Sequence, residues 1–336
     1  MTPRAEARAR FLEAAGWGAA AARPLAGDAS ARRYERLTGG PGGAGAVLMD
    51  SDPARGEDPR PFLAVTDYLR GRGFSAPKVL AAEPEAGFVL LEDLGDALFA
   101  RVCAAEPAAE AELYAAAVDL LAELQAEAAP EAIGGWAVPP YDAAVLEREA
   151  MLVLDWYLGA PSPDLRAAFA ARLAEATASV EPARGALVLR DYHAENLIWL
   201  PERRGSARVG LLDYQDALRG HGAYDLISLT EDARRDTSGA LREAMTARFA
   251  AATGADREAL DAAAAALAAQ RNLKIFGIFA RLCRRDGKPQ YLDLLPRVWE
   301  HLQRDLAHPA LSGLAEVCRA LPAPTAELRA RLRAGA

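Results

Sequence analysis

The feature that most constrains this chain is a small apolar hairpin with reactive side chains at both ends. Asn196-Leu197-Ile198-Trp199-Leu200 and Arg208-Val209-Gly210-Leu211-Leu212 read as strands, and Pro201-Glu202-Arg203-Arg204-Gly205-Ser206 reads as the turn between them. Arg190-Asp191-Tyr192-His193-Ala194-Glu195 leads in, and Asp213-Tyr214-Gln215-Asp216 leads out. A hairpin brings its ends together, so Asn196 and Asp213 are expected as neighbours, with Asp191 across the mouth. An acceptor for a hydroxyl proton beside a pair of oxygen ligands for magnesium is the layout that phosphoryl transfer needs.

Most of the chain around this hairpin is patterned for helices. Leu113, Ala117, Leu120, Leu121 and Leu124 fall on one face of a helix. Similar stripes predict helices over roughly 145–158, 164–179, 240–252, 258–284 and 295–306, with loops at 128–140 and 159–163. Ala186-Leu187-Val188-Leu189 adds a strand-like run before the polar loop. The beginning of the chain reads differently. Residues 4–15 suit a helix, and 22–50 read as two antiparallel strands turned at Thr38-Gly39-Gly40-Pro41-Gly42-Gly43. Residues 60–73 suit a helix between prolines and glycines, and 77–82 and 88–91 read as strands. The pattern predicts an α+β fold of two lobes, a small β-rich one over 1–95 and a larger, mostly helical one over 96–336.

Composition narrows the function classes. A chain of 336 residues is long enough for about two domains. Mean hydropathy is -0.04, and no apolar run reaches the ~18 residues of a membrane span. The start, Met1-Thr2-Pro3-Arg4-Ala5-Glu6, lacks the apolar stretch of a signal peptide. Cys103, Cys283 and Cys318 are too few and too scattered for a disulfide framework or a zinc cluster, so a cytoplasmic location is expected. A net charge of -8 argues against a protein that coats nucleic acid. The expected partners are small molecules, with neither nucleic acid nor membrane among them. Composition leaves the oligomeric state open.

The Asp191-x-x-x-x-Asn196 spacing, the apolar hairpin and Leu212-Asp213-x-x-Asp216 together resemble the aminoglycoside phosphotransferase/choline kinase-like family of the protein-kinase-like fold. The likeness runs from about Leu25 to Leu306, and the pair of motifs is specific where either half alone is weak. It implies ATP as co-substrate, held between the lobes, and Mg2+ as cofactor. Asp191 would be the catalytic base, Asn196 and Asp213 the magnesium ligands, and Glu92, Asp93 and Leu94 the adenine-holding hinge, which spans 92–95. In Tyr224-Asp225-Leu226 the aspartate would be mainly structural. The small-residue turn Gly27 to Ser30 would let backbone N–H groups approach phosphate. The acceptor site would draw on Glu149, Asp155 and Trp156. Arg271 and Lys274, three apart on one expected helix, are either a solvated basic face or contacts to an acidic acceptor. His193 is an acceptor-side candidate whose favoured role is to order its loop.

Several segments narrow the likeness to one subgroup. They are Gly27-Asp28-Ala29-Ser30-Ala31-Arg32-Arg33-Tyr34, Val47-Leu48-Met49-Asp50, Leu91-Glu92-Asp93-Leu94-Gly95-Asp96, Asp213-Tyr214-Gln215-Asp216-Ala217 and Gln270-Arg271-Asn272-Leu273-Lys274-Ile275-Phe276-Gly277. They resemble the members that phosphorylate the C1 hydroxyl of N-acetylmuramate and N-acetylglucosamine in peptidoglycan recycling. The alternatives are a kinase for another hydroxylated metabolite or an aminoglycoside, or a nucleotide-binding pseudokinase. An aminoglycoside kinase needs an acidic acceptor pocket, whereas a sugar acid needs a basic one.

Two positions depart from the family pattern. Leu189 stands where kinase loops carry His two residues before the base. No lysine precedes Lys78, so the usual cation for the α- and β-phosphates is absent and Val47-Leu48-Met49 occupies its strand. The nearest cations are Arg32, Arg33 and Arg36. Strand alternation divides them between two faces. The apolar face, shared by Arg33 and Leu37, is the one expected to roof the nucleotide, which favours Arg33 and then Arg32.

Overall fold

The computed structural model of the chain describes residues 2–25, 32–180 and 185–335. Gly27 and Ser30 lie outside the described residues. The chain divides into two compact units, and the first comprises residues 1–109, 131–138 and 195–217. It opens on helix α1 (Pro3–Ala14), where the Thr2 side chain accepts from the Ala5 N–H and Pro3 takes the first turn. Strands β1 (Ala21–Pro24), β2 (Arg33–Thr38) and β3 (Ala46–Asp50) follow, then helix α2 (Arg60–Gly71), strands β4 (Val79–Glu83) and β5 (Phe88–Glu92), and helix α3 (Phe99–Ala105). The five strands form one antiparallel sheet in the order β1-β2-β3-β5-β4. The turn-rich 22–50 segment therefore holds three strands rather than two. β1 pairs Ala22 with Leu37 and Arg23 with Arg36; its short, exposed Ala-Ala-Arg-Pro run carries no apolar alternation to announce it.

Helix α1 seals one face of the sheet. Phe11, Leu12 and Trp17 pack against Leu37, Ala46, Leu48, Phe88 and Leu90. Gly40 is needed beneath this cover, because a Cβ there would lie 2.3 Å from the Trp17 ring. The Leu37 face of β2 is thus committed to α1, and Arg32, Tyr34 and Arg36 alternate onto the other face.

The second unit comprises residues 110–130, 139–194 and 218–336. Helices α4 (Glu110–Leu124), α5 (Ala143–Ala150) and α6 (Pro163–Thr177) precede strand β6 (Ala186–Val188). The stripe on α4 is buried as expected, from Leu113 through Leu124. The 145–158 stripe is not one helix: α5 ends at Ala150 and a wider π-helical turn covers Val153–Leu158. Between Ala194 and Glu195 the chain passes to the first unit, where β7 (Leu197–Trp199) and β8 (Val209–Leu211) form the expected antiparallel hairpin. It returns at Leu218 and forms β9 (Leu218–Gly220), which pairs with β6. Helix α7 (Ala223–Thr230) is buried along its whole length. Helices α8 (Gly239–Thr253), α9 (Arg257–Arg284), α10 (Leu295–Leu306), α11 (Ser312–Cys318) and α12 (Ala326–Ala334) complete the unit. α9 is its axis. At Gly277 a Cβ would stand 2.3 Å from the Leu152 carbonyl carbon, so the 150s segment approaches backbone to backbone. Among the described residues no helix is long and apolar enough to cross a membrane.

Candidate functional site

In the first unit the hairpin does what its pattern predicts. The Leu212 N–H donates to the Asn196 carbonyl at 3.0 Å, which closes the hairpin one step beyond its strands. Asn196 Nδ2 then donates to Asp213 Oδ2 at 3.4 Å, and Gln215 Nε2 donates to Asp213 Oδ1 at 2.8 Å. Asp213 adopts φ +60°, a left-handed conformation that aspartate tolerates better than most side chains. Its side chain is 44% exposed. Behind it the Tyr214 ring stacks on Phe62, and the Tyr214 and Thr66 hydroxyls share a hydrogen bond of 2.8 Å.

The three candidate arginines separate clearly. Arg33 is exposed, on the face of β2 that leads to Leu37. The preference for Arg33 assumed that this face looks toward the nucleotide, but the face is the one that α1 covers. Arg36 is consumed by the 93–96 turn: Nε lies 2.7 Å from Asp93 Oδ2, Nη1 2.5 Å from Asp96 Oδ2, and Nη2 donates to the Gly95 carbonyl at 3.2 Å. Arg32 is the one beside the hairpin. Its Nη1 lies 3.9 Å from Asp213 Oδ1, while Nε is held by Glu57 Oε2 at 2.9 Å. Burial opposes its charge, but Tyr34, Glu57, Asp216 and Asp213 outweigh that and hold the proton more tightly than usual. Tyr34, next to it, is pushed up to about 12 by burial and by the Asp213 charge.

The hinge candidates also lie in this unit. Glu92 accepts from Arg203 Nη2 at 2.8 Å and from the Lys78 N–H at 3.0 Å. Asp93 caps the Gly95 N–H at 2.9 Å besides holding Arg36. Leu94 packs on Ile198 and Leu200 of the hairpin. Their side chains are therefore spent on fixing the segment.

In the second unit Asp191 stands on a turn tied down from below. Asp225, with no solvent exposure, accepts from the consecutive amides of Leu189 at 2.7 Å and Arg190 at 2.8 Å. The Ser228 hydroxyl donates to the Arg190 carbonyl at 3.0 Å, and Arg271 Nη2 donates to Ser228 Oγ at 3.0 Å. Burial works against ionisation of Asp191, yet Lys274, His193, Arg190 and Arg271 outweigh it and hold its carboxyl below the usual range. His193 is 4% exposed, and burial lowers its pKa against the pull of Asp232. Tyr192 anchors the loop by donating to the Ala117 carbonyl at 2.8 Å.

The acceptor-side candidates fall into two groups. Glu149, Arg190 and Lys274 form one cluster with Tyr141 and Tyr224: Lys274 Nζ lies 3.1 Å from Glu149 and 3.3 Å from the Tyr224 hydroxyl, and Arg190 pairs with Glu149. Arg271 is 6% exposed and Lys274 keeps 12% of its side-chain surface, so they are no solvated face. Trp156 and Asp155 stand apart on the π-helical turn: the Trp156 carbonyl takes Arg284, and Asp155 pairs with Arg166. Sequence reasoning missed Tyr141, Ser228 and Glu57, whose partners lie on other elements and leave no local pattern.

Comparison with known proteins bears on this arrangement. A model of the phosphotransferase enzyme family, APH, matches residues 21–263. The N-acetylmuramate/N-acetylglucosamine kinase of Caulobacter vibrioides is 41% identical over 93% of this chain and 94% of its own. The protein of the same description from Pseudomonas aeruginosa is 36% identical, over 92% of both chains. Among solved structures, the GDP complex of aminoglycoside 2'-phosphotransferase-IIIa superposes with a TM-score of 0.66 at 15% identity, covering 90% of this chain and 100% of that one. That likeness carries the protein-kinase-like, two-lobed α+β fold.

Burial raises Asp225 to about 7, against the two backbone donors that favour its charge. Between the ordinary carboxylate range and pH 7 the folded protein keeps a proton that the unfolded chain has released. Stability from this group is therefore full in acid and is lost as pH rises toward 7. The stability of the wild type minus that of Asp225→Asn, from urea unfolding, is expected to fall by roughly 2–3 kcal/mol between pH 5 and pH 8. A flat difference contradicts the buried-acid assignment.

Proposed function

Because the chain belongs to the phosphotransferase enzyme family, we propose that it is an ATP-dependent kinase that phosphorylates the C1 hydroxyl of an N-acetylated amino sugar. The acceptors are N-acetylmuramate and N-acetylglucosamine, after the two relatives described above. The observation that carries the chemistry is Asn196 held 3.4 Å from Asp213 at the hairpin end, with Arg32 3.9 Å from the same carboxylate. The acceptor side adds support. Arg190, Lys274 and Arg271 surround Asp191 with positive charge, which suits a neutral or anionic sugar and disfavours a polycation.

Asp191 is the base in this reading. Its carboxyl, kept ionised by the surrounding cations, accepts the C1 hydroxyl proton as that oxygen bonds to the γ-phosphorus. The bond between the γ-phosphorus and the bridging oxygen breaks, and ADP departs with the electron pair. Asn196 and Asp213 fit magnesium, since one carboxylate and one amide oxygen are the hard donors that this ion takes alongside phosphate and water. Bound there, the ion supplies charge neutralisation on the triphosphate. Arg32 takes the part of the missing lysine, as an always-charged fork that can engage two phosphate oxygens. Glu92, Asp93 and Leu94 are the hinge, between a nucleotide lobe that starts the chain and a helical lobe that follows it. Lys274 is the cation suited to a carboxylate-bearing acceptor; Trp156, on the separate π-helical turn, stays outside this group. His193 orders the loop. A cytoplasmic setting supplies ATP and keeps the three buried thiols reduced.

The acceptor assignment is tested by incubating the enzyme with ATP and N-acetylmuramate, N-acetylglucosamine, glucose, choline or kanamycin, and reading products by phosphorus NMR. The expected product is an anomeric phosphate coupled to H1 of the two N-acetylated sugars. A 6-phosphate, or sugars left untouched, contradicts it. Arg32→Ala is expected to lose at least tenfold in kcat/KM for ATP, about 1.4 kcal/mol, while Arg33→Ala stays within about threefold. Equal, small losses in both variants would remove Arg32 from the phosphate site.

A further inference from the structure

Glu149 is already engaged by the protein. Its carboxylate receives the Arg190 guanidinium, Lys274 Nζ at 3.1 Å and the Tyr141 hydroxyl. The side chain is 12% exposed. A carboxylate has about four acceptor sites, and three donors of this chain leave it little to offer a sugar hydroxyl.

Its main partner is conformationally unusual. Arg190 adopts φ +71°, where a Cβ is strained and glycine is not. The chain nonetheless carries arginine there, and its N–H, its carbonyl and the end of its guanidinium are tied to other elements. Its N–H goes to Asp225 at 2.8 Å, its carbonyl accepts from Ser228 at 3.0 Å, and its guanidinium pairs with Glu149 and lies 5.6 Å from the centre of the Tyr141 ring. Strain of this kind persists where the surroundings over-determine the residue, and such places cluster at functional sites. The next residue is Asp191.

We propose that Glu149 and Arg190 are positioning residues: an ion-pair clamp from α5 to the turn that presents Asp191, which fixes the base and does not bind the acceptor. This rests on the reading of Asp191 as the base. The arginine side chain, rather than the left-handed turn alone, sets the orientation of the loop. Glu149 leaves the acceptor contacts and joins the machinery that holds the base in place.

The two roles of Arg190 predict opposite orders of activity. Arg190→Gly relieves the backbone strain and deletes the clamp; Arg190→Lys keeps the strain and the pairing charge. The clamp predicts that Arg190→Gly loses at least tenfold in kcat, with KM for N-acetylglucosamine within threefold of wild type, and that Arg190→Lys is the more active of the two. Glu149→Gln is expected to repeat the Arg190→Gly pattern. Hydrogen–deuterium exchange of the ligand-free proteins reads the same clamp without any substrate: amides of 189–193 should exchange at least tenfold faster in Arg190→Gly and Glu149→Gln. Arg190→Gly at or above the kcat of Arg190→Lys, or unchanged exchange in both variants, overturns the clamp. A tenfold rise in acceptor KM at unchanged kcat in Glu149→Gln returns that residue to the acceptor site. A wild type that phosphorylates none of the acceptors defeats the kinase reading alone, and the exchange result still decides the clamp.

Discussion

A carboxyl group with no access to water must find donors or keep its proton. Asp225 finds two, the successive amides of Leu189 and Arg190, and burial still holds it near neutrality at about 7. Everything proposed for Asp191 depends on that contact. Two adjacent N–H groups can meet one carboxylate only if the chain turns sharply, and Arg190 takes up the turn with its positive φ. Ser228, one helical turn beyond Asp225 on α7, holds the carbonyl on the other side of the same residue. α7 is buried along its length because it carries this load from inside the unit.

The chemistry is divided by charge type. In the first unit a carboxylate and an amide stand together with one arginine close by, a set for a cation and a polyphosphate. In the second unit cations outweigh the ionised acids around Asp191, which keeps the base ionised despite burial. Arg32 and Arg190 show why arginine can serve in both places. A guanidinium can hold one carboxylate and still keep N–H groups for a second partner, as Arg32 does with Glu57 and Asp213.

Local pattern made much of this legible. The hairpin was readable because its strands and turn are contiguous, and the proximity of Asn196 and Asp213 follows from closing it. The long helices were readable from their stripes. β1 and β9 were not, because runs of three or four residues are too short to show alternation, and their partners fix them from elsewhere. The order of Arg33 and Arg32 turns on a different point. Alternation divides a strand into two faces, but only the docking of α1 on Leu37 shows which face is outside. Glu149, Arg271 and Lys274 read in the sequence as acceptor contacts, or for the two cations as a solvated face. Their burial comes from Arg190, Tyr141, Ser228 and Tyr224, contacts that no spacing along one helix reveals.

The central claim is that Asp191 removes the acceptor proton, and one substitution tests it most directly. Asp191→Asn keeps the size and most hydrogen bonds of the side chain and removes its basicity. Calorimetric titration should find ATP affinity within a few-fold of wild type, while single-turnover transfer to the sugar slows by at least ~100-fold, the scale of positioned acid–base catalysis. Transfer at a near-normal rate in that variant would contradict the account.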